Sequence, residues 1–128
     1  MSFAWSEYLE VVKELAQGGR AHPEASLRSA VSRAYYAAFC RTRNHLRDRD
    51  GLLVPTGGEA HRFVRTQFQH SRELSRRRLG ATLDRLRLVR NQADYDDTVP
   101  NLSRIAVVSL LWAEEVLATL DQMQAGGE

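Results

Sequence analysis

The chain has one cysteine, Cys40, and one lysine, Lys13, and each scarcity narrows what it can be. A lone thiol builds neither an internal disulfide framework nor a cysteine zinc cage. The longest apolar run, near Ala106–Ala113, is broken by Ser109, far short of the ~20 residues of a membrane span. The segment Ser2-Phe3-Ala4-Trp5-Ser6-Glu7 has no basic n-region and no apolar h-region, so no secretory leader is expected. No alternating stretch is long enough to argue for a sheet. P-loops, dinucleotide glycine patterns and nucleophile constellations are missing, and Gly18-Gly19 and Gly57-Gly58 read as helix punctuation. His61 and His70 stand nine residues apart with no cysteine partner and no His-x3-His pair, so neither a metal nor another cofactor is expected. The expectation is a soluble cytoplasmic protein that does not engage a membrane.

The charges are unevenly placed. The formal net charge is +2, from 18 basic and 16 acidic side chains, and 17 of the basic ones are arginine. Residues 20–90 hold sixteen arginines against six acids, whereas residues 91–128 hold Arg104 against seven acids. A basic middle with acidic ends suits a polyanion or an acidic partner. Genomic base composition is the competing explanation for the arginine excess.

At 128 residues one domain spanning 1–128 is expected, burying roughly two-thirds of its unfolded surface without a staple. The periodicity is helical nearly throughout. A first helix aligns Trp5, Tyr8, Leu9, Val12, Leu15 and Ala16 and stops at Gly18-Gly19. A second starts near Pro23 and runs to about Arg49 with the stripe Leu27, Val31, Ala34, Ala38. After a glycine-rich turn at residues 50–58, a short third helix, about Glu59–His70, carries Phe63, Val64 and Phe68. The fourth runs from Ser71 or Glu73 to Tyr95 through Leu79, Leu83, Leu86 and Ala93. Gly80 weakens it by roughly 1 kcal/mol relative to alanine. The fifth, about Pro100–Gln124, stacks Leu102, Ile105, Ala106, Ser109, Ala113, Val116, Leu117 and Leu120 before Gly126-Gly127. The fold class is all-α: an antiparallel up-and-down bundle of about five helices.

Some polar residues break this pattern. Arg90 falls in the middle of the buried stripe of the fourth helix. A guanidinium is rarely buried unpartnered, because desolvation costs several kcal/mol. It therefore faces a carboxylate such as Asp94 one turn on, a subunit interface or a water-filled groove. His45 keeps the apolar register of the second helix, either as a satisfied core histidine or as a neutral general base among Arg41, Arg43, Arg47 and Arg49. Arg72, Arg76, Arg77 and Arg78 form the densest basic run, either a solvated helix face or a set of phosphate forks. Single-stranded nucleic acid would call for aromatics among those charges, and this run has none.

Ser32-Arg33-Ala34-Tyr35-Tyr36-Ala37-Ala38-Phe39 resembles the Ser-Arg-x-Tyr-Tyr-x-x-Phe signature of HEPN-domain proteins. Two further pieces follow in the expected order: His61-Arg62-Phe63-Val64, and Leu86-Arg87-Leu88-Val89-Arg90-Asn91-Gln92-Ala93-Asp94-Tyr95. The resemblance is to the small stand-alone prokaryotic branch and covers about residues 5–120. It implies a HEPN-like helical bundle, commonly a homodimer and often the toxin-side partner of a minimal nucleotidyltransferase antitoxin. Many family toxins are metal-independent endoribonucleases with an Arg, a polar residue and then a His, drawn from both subunits into one cleft. In such a site the arginine stabilises phosphorane-like charge and the histidine moves the 2′-hydroxyl proton.

Arg90 and Asn91 match the start of that motif, but Tyr95 stands at the histidine position and no histidine follows His70. A phenol with an ordinary pKa near ~10 is a poor base at neutral pH. Either Tyr95 donates a proton, or His45 or His61 supplies the base, or the site binds without cutting. The catalytic candidates are thus Arg90, Asn91, Tyr95 and His45. The candidates for binding RNA or a nucleotide are Arg33, Tyr36, His61, Arg76, Arg77 and Arg78. The resemblance also makes Tyr95 a candidate acceptor of AMP from the partner enzyme. The alternative is a non-catalytic nucleotide- or RNA-binding module, or a structural adaptor.

Overall fold

The computed structural model describes residues 3–18 and 21–126. Five helices account for the regular structure of these residues, and no strand occurs among them: α1 Glu7–Leu15, α2 Pro23–Asp48, α3 Glu59–Gln69, α4 Leu74–Tyr95 and α5 Leu102–Ala125. The architecture is an all-α helical bundle, and its helix limits fall within about two residues of those expected from the periodicity. Of the expected stop signals, Gly19 and Gly127 lie outside the described residues. Among the described residues no helix is long and apolar enough to cross a membrane.

The helix ends follow local chemistry. Pro23 opens α2, where its missing N–H has no intrahelical partner to lose. Gly51, at φ 69°, turns the chain at the far end and brings the Leu52 N–H to the Leu46 carbonyl at 3.0 Å. Asn101, the one described non-glycine residue with positive φ (60°), starts α5 after Pro100.

The apolar stripes meet as their spacing requires. Val31, Ala34, Ala38, Leu86, Ala106, Ala113 and Leu120 are fully shielded from solvent, and Leu79, Leu83 and Val116 nearly so. α2 is the central helix, with each of the other four packed on it. Its small residues Ala30, Ala34, Ala37 and Ala38, all buried, leave room for neighbours to approach closely.

Side-chain contacts fix the directions. Arg43 lies over Trp5 and Arg33 over Tyr8, so α1 runs antiparallel to α2. Arg28 reaches the end of α4 while Asp50 meets Arg76 at its start, so α4 is antiparallel to α2 as well. His61 meets Phe39 and Phe68 meets His45, which makes α3 parallel to α2. The chain therefore doubles back through residues 49–58, and that return leg delivers the start of α3 to the middle of α2.

α4 continues unbroken through Gly80. A side chain there would strike α3, because an added Cβ would lie 2.7 Å from the Gln69 backbone nitrogen. Gly80 is thus a close-approach residue for the α3–α4 crossing.

Candidate functional site

The three motif segments converge at mid-bundle. α2 presents Tyr35 and Tyr36, α3 presents His61, and the last turns of α4 bring Arg90 down between them. The Arg90 guanidinium lies 4.9 Å from the Tyr35 ring centre and 5.6 Å from that of Tyr36, within cation–π range of both. The His61 ring stacks on Phe39 at 4.2 Å and on Tyr35 at 5.6 Å, and meets Tyr36 edge-on at 6.0 Å. Tyr35 and His61 also share a hydrogen bond of 2.5 Å between Oη and Nδ1.

Electrostatics assign the protons in this pair. Burial pushes the Tyr35 phenol up to about 12, although Arg90 pulls the other way, so the hydroxyl keeps its proton at neutral pH. Burial, reinforced by Arg90 and Arg65, holds the His61 imidazole below its ordinary value, so the ring is neutral. Tyr35 is 2% exposed, and His61 Nδ1 is the acceptor within reach of its hydroxyl hydrogen. Tyr35 therefore donates to Nδ1, which places the imidazole's own proton on Nε2. His61 thus offers an N–H rather than a lone pair.

Arg90 is compensated only in part. Its side chain is 12% exposed, and Nη1 lies 3.7 Å from Asp94 Oδ2, beyond hydrogen-bond length. Nε is buried without a hydrogen-bond partner among the described residues. Asp94 Oδ2 also accepts from Ser32 Oγ at 3.4 Å. Nearby, Asp84 serves both Arg65 at 3.5 Å and Arg87 at 2.9 Å. Three guanidinium groups thus face two carboxylates, leaving a local surplus of positive charge beside a neutral imidazole. Among the described residues no group of three or more metal-binding side chains is assembled.

Other residues picked out by the sequence go elsewhere. His45 does not join Arg90: it lies ten residues beyond Tyr35 on α2, about 15 Å along the axis. It is 1% exposed, packs against Phe68 and stands 3.7 Å from Asp50. Of the two readings open for it, the buried core histidine describes its position. Tyr95 also misses the cluster. Five residues past Arg90 it points roughly 140° around the helix, and it is 75% exposed. It cannot pass a proton at the Arg90 site of its own chain. Asn91 follows Arg90, half-buried on the same turn.

The basic run is divided as well. Arg76 pairs with Asp50 and covers the Phe68 ring at 4.5 Å. Arg77 donates to the carbonyls of Ser71 and Arg72 at 3.2 and 2.7 Å, closing the α3–α4 turn. Arg78 borders a separate small groove between α4 and α5. These three do not form one phosphate-binding face. Arg33 is exposed over Tyr8 at 5.3 Å and makes no ion pair with Asp94 among the described residues.

Arg28 is the contributor that pattern reading missed. Its terminal nitrogens donate to the carbonyls of Ala93, Asp96 and Asp97 at 2.9, 2.6 and 3.1 Å, and Nε pairs with Glu24 at 3.2 Å. It thereby caps the end of α4, three residues after Arg90, with positive charge at the negative end of the helix dipole. Its position one turn before Ser32, on the face that carries Tyr35, is the signal that could have found it.

Comparison of the chain with protein-family models, with characterised proteins and with solved structures gives no match.

Proposed function

We propose that this chain is a HEPN-type, RNA-directed protein, the toxin-side member of a pair with a nucleotidyltransferase, and that its Arg90 site holds RNA phosphate without cutting it. The observation that carries this reading is the Arg90 guanidinium, held over two rings with its charge only loosely answered by Asp94 at 3.7 Å. The Arg90 guanidinium and the His61 Nε2–H are both hydrogen-bond donors, set beside a local positive surplus. Donors of this kind match the oxygens of a phosphodiester. Cleavage through the 2′-hydroxyl also needs a proton acceptor. His61 Nδ1 is occupied by Tyr35, His45 is buried about 15 Å away, and Tyr95 faces solvent. A homodimer would align two such sites.

The test is purified protein with a defined single-stranded RNA in EDTA. The expected result is salt-sensitive binding, weakened and with a shallower salt slope by about one unit in Arg90→Ala, and an intact RNA. Cleavage lost in Arg90→Ala would refute the binding-only reading and make the chain a metal-independent endoribonuclease. Absence of RNA binding altogether would leave a structural adaptor.

A further inference from the structure

Tyr36, which lies against Arg90, and His61 also line a groove of about 640 Å³ between Trp5 ahead of α1, the α2 helix and the return leg into the start of α3. That volume falls in the range of about 300–1,000 Å³ typical of small-ligand sites. Its aromatic lining comes from Trp5, Tyr36, Phe39 and His61, and Arg43 and Arg47 stand at its edge. No Asp or Glu is among its lining residues.

We propose that this groove binds an unpaired nucleotide, with the base against the aromatic walls and the phosphate at Arg43. The charge pattern selects the ligand. A purely apolar molecule would have no use for two guanidinium groups, and a cation would be repelled by them. Arg47 is held by Asp48 through two hydrogen bonds, at 2.7 and 3.0 Å, so its charge is largely answered. Arg43 donates only Nε, to the neutral amide oxygen of Asn44 at 3.0 Å, and lies over the Trp5 ring at 5.6 Å. No carboxylate is hydrogen-bonded to its terminal nitrogens, and Asp48, already bonded to Arg47, acts on Arg43 only through longer-range attraction, which leaves this lining guanidinium to a phosphate. The flat rings supply what arginine cannot, a stacking surface for a base of any sequence. Single-stranded recognition needs aromatics interleaved with charge. The arginine run of α4 lacks them, whereas here three separate elements bring the two together.

The biological ligand rests on the RNA reading above: a strand held at Arg90 would place a neighbouring base over His61 and Tyr36 into the groove. Binding of a mononucleotide tests the groove separately. Isothermal titration calorimetry with adenosine 5′-monophosphate is expected to give a saturable isotherm with Kd at or below about 1 mM. Arg43→Ala, with an unchanged circular dichroism spectrum and thermal midpoint confirming that the half-buried position still folds, is expected to weaken binding about tenfold or more. Ribose 5-phosphate, which keeps the phosphate but lacks the base, is expected to bind at least about tenfold more weakly. Single-stranded RNA should compete with the mononucleotide, and a blunt duplex of equal length should not. The proposal is overturned by no saturable binding, by an Arg43→Ala isotherm equal to wild type, or by ribose 5-phosphate binding as well as the nucleotide. RNA binding lost in Arg90→Ala without any mononucleotide binding would overturn the groove and leave the Arg90 site standing. Mononucleotide binding without RNA binding would do the reverse.

Discussion

Replacing Gly80 by alanine sets two physical effects against each other, and the structure decides between them. On helix propensity alone the substitution stabilises α4 by about 1 kcal/mol. The added Cβ would, however, lie 2.7 Å from the Gln69 nitrogen, 2.9 Å from its Cγ and 3.1 Å from the Phe68 carbonyl carbon. Two of these atoms are backbone at the end of α3, so no rotamer change relieves the clash. The last turn of α3 has to retreat by several tenths of an ångström, carrying Phe68, which is fully buried, with it. Overpacking costs about 1–3 kcal/mol, and a rigid backbone obstacle places this case in the upper half of that range. Subtracting the propensity gain leaves a net loss of about 1–2 kcal/mol. In thermal unfolding followed by circular dichroism the midpoint should fall by about 3–8 °C. Urea unfolding should show a lower midpoint with an unchanged slope. A midpoint equal to or above that of the wild type would refute the close-approach account and return Gly80 to being merely a weak helix residue.

The remaining predictions concern the frame of the site. Arg28→Ala removes three hydrogen bonds to carbonyls at the end of α4; we expect about 1–3 kcal/mol of lost stability. Amide exchange should accelerate at residues 96–101 first, and uniform acceleration across the chain would contradict the capping role. His61 is held below its ordinary 6.5 in the folded state, so the unfolded chain binds a proton more readily there. Stability should therefore fall as pH drops below about 6.5, until the folded ring is also protonated. His61→Gln should remove that component of the pH profile, and an identical slope in the variant would count against a neutral, half-buried imidazole. Tyr35→Phe takes away the donor to Nδ1, so nitrogen chemical shifts of the ring should move away from the Nε2–H tautomer. Unchanged shifts would mean that Tyr35 does not set the proton.

The helices were legible because their apolar positions recur with helical spacing over long stretches, as Leu79, Leu83, Leu86 and Ala93 do. The same register identified Arg90 as buried, since a charged residue inside such a stripe stands out. Periodicity could not say what covers it, because the Tyr35 and Tyr36 rings arrive from another helix more than fifty positions earlier. His45 and Tyr95 show the limit from the other side. His45 shares the apolar face of α2 with Tyr35 but lies near the far end of a 26-residue helix. Tyr95 occupies a motif position by count, yet the helical angle turns it to solvent. The parallel course of α2 and α3 depends on the route of residues 49–58, which no local pattern encodes. Arg28 was hard to read for a related reason: beyond Glu24 its partners are main-chain carbonyls, and carbonyls leave no mark in a residue pattern.

The arginine excess admitted two explanations, base composition or a polyanionic partner, and the contacts separate them position by position. Composition explains arginines that any cation could replace, such as Arg47 beside Asp48 on an exposed turn. It does not explain positions that use the guanidinium's planar shape. Arg28 directs its nitrogens at three carbonyls together, Arg76 covers a ring while pairing with Asp50, and Arg90 lies over two rings. A lysine ammonium is a hydrated point charge and reproduces none of these arrangements. Arg28 and Arg76 spend the shape on holding the bundle together, since their partners are its own carbonyls, carboxylate and ring. Arg90 differs: its ring contacts leave its charge only loosely answered by Asp94 at 3.7 Å. A fold that needed only packing at that position would be served by a leucine, as at Leu83 and Leu86. The cation is retained at a cost in desolvation, and an external anion at this site would offset that cost.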